Sequence, residues 1–111
     1  MARVVAWIPD LLFGSNVVGS LSAAGHQVQL VSELGLAAPD ADVLVVDLTS
    51  DVDERLERIA ALPRGGARTL AFYSHVETEV RERAEHAGLD LVVPRSRMAR
   101  EGGALVERLA G

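Results

Sequence analysis

Apolar residues along this chain follow two alternating rhythms. Five short runs are dense in Val, Ile and Leu: Arg3–Ile8 (RVVAWI), Gln27–Val31 (QVQLV), Asp42–Leu48 (DVLVVDL), Arg68–Ser74 (RTLAFYS) and Leu89–Val93 (LDLVV). Turn residues bound each run: Pro9-Asp10, Gly25-His26, Pro39-Asp40, Gly65-Gly66, and Gly88 with Pro94. Three of the five are nearly continuous in apolar character rather than alternating, as in parallel strands covered on both faces. Trp7, the only Trp, falls in the first run and is expected in the core.

The intervening segments carry helical spacing. Leu11–Ala24 is apolar at Leu12, Val17, Leu21 and Ala24, and its small residues Gly14, Ser15, Gly19 and Ser22 suit close packing against a neighbour. Asp51–Leu62 sets Val52, Leu56, Ile59 and Ala60 on one stripe, and Ser50 with Asp53 has capping-box spacing. Glu77–Ala87 has a thin stripe of Val80, Ala84 and Ala87, with Glu79–Arg83 as an i,i+4 pair on the wet side. A last helix from Met98 uses Leu105, Val106 and Leu109, and Gly102-Gly103 weakens its start by about 1 kcal/mol per Gly relative to Ala.

Strand and helix thus alternate from end to end, which predicts an α/β sandwich on a parallel sheet, with residues 1–111 forming one domain. One link is short. Only Glu33–Ala41 joins the second strand to the third, where a parallel crossover normally takes about a dozen residues or more. It holds one helical turn at most, so one face of the sheet is expected to be thinly covered and apolar, a surface for a second copy.

Composition narrows the function. With 111 residues the chain suits one core rather than two. No cysteine is present, which removes disulfides, thiolate catalysis and cysteine-based zinc sites. No apolar run approaches the roughly 20 residues of a membrane span, and Pro9-Asp10 interrupts any secretory apolar stretch, so a cytoplasmic protein is expected. The net charge of −5 argues against nucleic-acid binding. All the basic residues are Arg, a bias that reads as genomic base composition.

At the third strand a resemblance emerges. Pro39–Leu48 (PDADVLVVDL) is similar to the third strand of response-regulator receiver domains, which ends in the phosphoacceptor aspartate. That places Asp47 at the acceptor position. Ala84–Arg95 resembles the approach to the family's lysine, whose position holds Arg95, with Ser96 in place of the following proline. The family's Thr/Ser position falls on Tyr73, or on Ser74 with a one-residue deletion. The resemblance covers the whole chain and implies a flavodoxin-like (βα)5 three-layer sandwich. Its five-stranded parallel sheet would have the order 2-1-3-4-5, with the second helix shortened or missing.

The departures from the family bear on chemistry. Receivers end their first strand with two adjacent acids that hold Mg²⁺ beside the acceptor; here those positions are Ile8 and Pro9, with Asp10 one residue late. The loop after the acceptor reads Leu48-Thr49-Ser50-Asp51 instead of the family's Met-Pro-Gly-Asp-Gly type. Phosphoryl transfer to a carboxylate brings two anions together, and a hard cation normally offsets their repulsion. Asp10 and Asp47 alone make a weak Mg²⁺ anchor, and Arg95 can pair an oxyanion without being equivalent to Lys.

Ligands of open parallel sheets bind beyond the strand carboxyl ends. Asp10, Asp47, Tyr73, Ser74, His75, Arg95 and Arg97 fall on that rim. An acid after four apolar residues is costly to bury unless paired, and Arg95 is the partner the sequence suggests for Asp47. His26 and His86 read as structural. No metal-ligand, nucleotide-loop or Ser–His–acid spacing is present. The leading expectation is a stand-alone degenerate receiver that is not an enzyme and works through a protein partner or as a homodimer. An active receiver phosphorylated on Asp47 and a small enzyme or ligand-binding protein built on Asp47, His75 and Arg95 are the alternatives.

Overall fold

The computed structural model describes residues 2–34, 40–62, 66–74 and 78–111. Its elements run β1 (Arg3–Trp7), α1 (Leu11–Ala23), β2 (Gln27–Val31), β3 (Val43–Asp47), α2 (Val52–Ala61), β4 (Arg68–Tyr73), α3 (Thr78–His86), β5 (Leu91–Pro94) and α4 (Arg95–Ala110). The strands form one parallel sheet in the order β2-β1-β3-β4-β5. Fold class and strand order are those expected, with four helices among the described residues.

Two apolar layers hold the sheet. On one face Val4, Ala6, Val43, Val45, Leu70, Phe72 and Val93 meet Phe13, Val17 and Leu21 of α1 and Met98, Leu105 and Val106 of α4. On the other, Val5, Trp7, Leu44, Val46, Ala71, Tyr73 and Val92 meet Ile59 of α2 and Val80 and Ala84 of α3. Every residue of central β3 is buried, which explains its unbroken apolar run. A fully buried Val or Leu of this kind contributes about 1.5–3 kcal/mol.

Several local expectations change. α4 starts at Arg95 rather than Met98, because extended Pro94 turns directly from β5 into the helix. Gly102 and Gly103 therefore lie mid-helix, against α1. A Cβ on Gly103 would stand 2.7 Å from that of Ala24, and one on Gly102 3.1 Å from Leu21. Close packing, rather than fraying, is the role of this pair. The Ser50/Asp53 capping box does not form: Asp51 is the N-cap, in the left-handed region with φ 49° and no side-chain cap bond. Arg83 pairs with Asp53 of α2 instead of Glu79, and the i,i+4 pair on α3 is Arg81–Glu85.

Buried His26 ties the N-terminus to α4. Its Nδ1 accepts the Ala2 N–H at 3.1 Å, so the neutral ring carries its proton on Nε2, which donates to the Gly103 carbonyl at 3.2 Å. The expected thin cover over one face of the sheet rests on the second crossover. Residues 35–39 of the second crossover lie outside the described residues. Among the described residues, a hollow of about 180 Å³ has a lining that includes Arg3, Val5, Gln27, Gln29 and Asp40. In the parallel register Arg3 pairs Gln27 and Val5 pairs Gln29. Among the described residues, the exposed positions there, Arg3, Gln27 and Gln29, are polar.

Candidate functional site

Parallel strands bring β1, β3, β4 and β5 to a common rim at their carboxyl ends, and two Asp–Arg pairs form there. The first belongs to β3. Asp47 is only 4% exposed, and its Oδ1 accepts the Thr49 backbone N–H at 2.8 Å and the Thr49 hydroxyl at 2.5 Å. This side-chain-to-backbone bond two residues on is the local turn that short polar residues favour. Arg55, from the second turn of α2, donates from Nη1 to the Asp47 carbonyl at 2.7 Å and stands 3.6 Å from Oδ1. Its Nη2 lies 3.8 Å from Asp51, and its guanidinium carbon lies 5.8 Å from the Trp7 ring centroid. Trp7 is held in turn by its indole N–H, which donates to the Ser32 carbonyl at 3.0 Å.

A buried carboxylate requires a compensating charge and hydrogen bonds, and Asp47 finds Arg55 for the first and Thr49, on Oδ1, for the second. Its partner is Arg55, where sequence reasoning named Arg95. A signal was available. Arg55 sits on the stripe of Val52, Leu56 and Ile59, and a cation on an inward helix face has to meet an anion.

Arg95 goes elsewhere. Its Nη2 lies 3.7 Å from Asp10 Oδ2, and its guanidinium carbon lies 4.3 Å from the Phe13 ring centroid. Asp10 is also the N-cap of α1, with Oδ1 accepting the N–H groups of Leu12 at 3.0 Å and Phe13 at 3.2 Å. This second pair is about half exposed. The structure thus brings Asp10 to Arg95 and Asp47 to Arg55.

The remaining rim residues disperse. Tyr73 packs into the α2–α3 layer and is buried, and Ser74 is half-buried. Arg97 turns along its own helix to Glu101 at 3.5 Å. His75 lies outside the described residues. Ile8, where the resemblance would put an acid, is fully buried in the α1–α4 layer. Among the described residues no three His, Asp or Glu side chains cluster as metal ligands. None of their helices is long and apolar enough to cross a membrane.

No protein-family profile matches the chain, and no curated protein does. Solved structures do. A response regulator from Thermotoga maritima superposes with a TM-score of 0.81 at 14% identity, over 97% of this chain and 96% of that one. A CheY-like protein (tadZ) from Pseudomonas aeruginosa gives 0.80 at 22% identity, over 100% and 94%. The receiver domain of a Pseudomonas aeruginosa sensor histidine kinase, with magnesium coordinated in its active-site cleft, gives 0.76 at 18%, over 99% and 98%. The chain has the receiver fold.

Proposed function

We propose that this chain is a degenerate receiver-like domain that signals by contact with a protein partner, without efficient Mg²⁺-dependent phosphorylation and without enzymatic turnover. The observation that carries the reading is the internal pairing of Asp47, whose Oδ1 is held by Thr49 and faced by the Arg55 guanidinium. A phosphoryl acceptor needs a cation that offsets its carboxylate and also grips the incoming phosphate. Arg55 supplies a cation, but it is committed to the Asp47 carbonyl and to Asp51.

The donor set does not suit magnesium. Mg²⁺ takes hard oxygen ligands in near-octahedral geometry. Beside Asp47 the chain offers buried Ile8, and the nearest acid in sequence, Asp10, is occupied in capping α1 and facing Arg95. Response-regulator structures with the same fold support a signalling role. A cytoplasmic setting goes with it.

Incubation with Mg²⁺ and a small phosphodonor such as acetyl phosphate, followed by intact-mass measurement, tests the proposal. Wild type is expected to gain no acid-labile phosphoryl group. A stoichiometric adduct that disappears in Asp47→Asn would overturn the degenerate reading in favour of an active receiver.

A further inference from the structure

From Leu11 to Ser32 the chain contains no Asp, Glu, Lys or Arg, although 24% of its residues are charged. This stretch folds into α1 and β2, which pack together at one edge of the sheet. Leu11 and Leu12 are 72% and 78% exposed, the large exposed hydrophobics among the described residues. Ser15, Asn16, Gly19, Ser22 and Ala23 continue the outward face of α1. Among the described residues β2 pairs only with β1, and it carries neither the charge nor the proline that ordinarily guards an edge strand.

Gly19 singles out the helix. A mid-helix Gly costs about 1 kcal/mol relative to Ala, so it needs a reason. Gly14 has one, since a Cβ there would stand 3.0 Å from Leu30, and Gly102 and Gly103 have theirs against α1. A Cβ on Gly19 would meet nothing within 4 Å. Nothing among the described residues of one copy accounts for it.

We infer that this charge-free edge is a self-association surface, on which α1 of a second copy packs antiparallel to α1. The inference rests on the reading of the chain as an interaction domain and names its partner. Charge identifies the occupant. Each copy carries −5, so two copies repel over most of their surface. A two-fold contact sets a patch against itself, where like charges would meet. A patch empty of charge avoids that cost, and offers nothing by which an oppositely charged foreign partner would be selected. An antiparallel pairing whose two-fold axis crosses the outward face of α1 at the height of Val17, itself turned to the core, sets Ser15 of one copy beside Gly19 of the other, and Leu12 over Ser22. Gly19 then allows the two backbones to approach, and the leucines leave water.

Sedimentation of the full chain over micromolar to millimolar concentrations provides the test. Wild type is expected to dimerise reversibly. Leu12→Glu and Gly19→Arg should each weaken the dimer at least tenfold with unchanged circular dichroism, while Glu82→Gln on α3 should not. Gly19→Ala guards against a folding artefact, because the added methyl meets nothing in the monomer: it should weaken the dimer while raising thermal stability of the diluted protein. A wild type that stays monomeric throughout, or a dimer indifferent to both Leu12→Glu and Gly19→Arg, would overturn the inference. Either result leaves the phosphorylation reading standing, and an Asp47 phosphoadduct would leave the dimer standing.

Discussion

Two clusters at the same rim are built from the same parts. Asp47, Arg55 and Trp7 make one, and Asp10, Arg95 and Phe13 the other. They differ in depth. Asp47 and Arg55 expose 5% and 10% of their side chains, whereas Asp10 and Arg95 expose 52% and 49%. Removing water raises both the cost of an unpaired charge and the strength of its pairing. The buried cluster is therefore a structural obligation: losing either member strands the other. The exposed cluster is weak as an ion pair, and its strongest contribution is the N-cap that Asp10 supplies to α1.

Substitutions at Arg55 should show the largest effect. Arg55→Met leaves Asp47 buried without a cation, and a destabilisation of about 3–5 kcal/mol is expected in urea unfolding. Adding Asp47→Asn to that variant should recover part of the loss, since the stranded charge is gone. A loss below roughly 1 kcal/mol for Arg55→Met would place this pair in the surface class and erase the contrast.

Asp10 comes next. Asp10→Ala should cost about 1 kcal/mol through its cap, while Asp10→Ser, which keeps an acceptor and abandons the ion pair, should stay within about 0.5 kcal/mol of wild type. Equal losses for the two would show that the pair with Arg95, rather than the cap, is the working interaction. Arg95→Ala is expected to cost at most about 1 kcal/mol, combining a half-exposed ion pair with the contact to Phe13. That loss should shrink as salt is added.

The strands were legible because each is a short apolar run between turn residues, and in the fully buried central strand Val43–Asp47 the run is unbroken through Val46. Asp47 stood out for the same reason, as the one charge at the end of such a run. Its partner was misread. Arg95 is the basic residue the resemblance suggests, but α4 begins at once after Pro94 and carries Arg95 over Phe13. Asp10 passed as a possible metal ligand, although an Asp directly before an apolar-periodic segment is an ordinary helix-start signal. By helix propensity, a property of one segment, Gly102 and Gly103 are a local weakness, whereas their value lies in the approach of α1.

By itself, the amino-acid order determined the alternation of strand and helix, the parallel sheet and the isolation of Asp47 at the end of an apolar run. These depend on period and on neighbours in the chain, which a sequence records directly. Which arginine meets which aspartate, which glycine answers to which helix, and where the chain exposes leucine were decided only in three dimensions. Charge pairing and close packing depend on distances between segments dozens of residues apart, and those distances exist only once the sheet has set the helices in place.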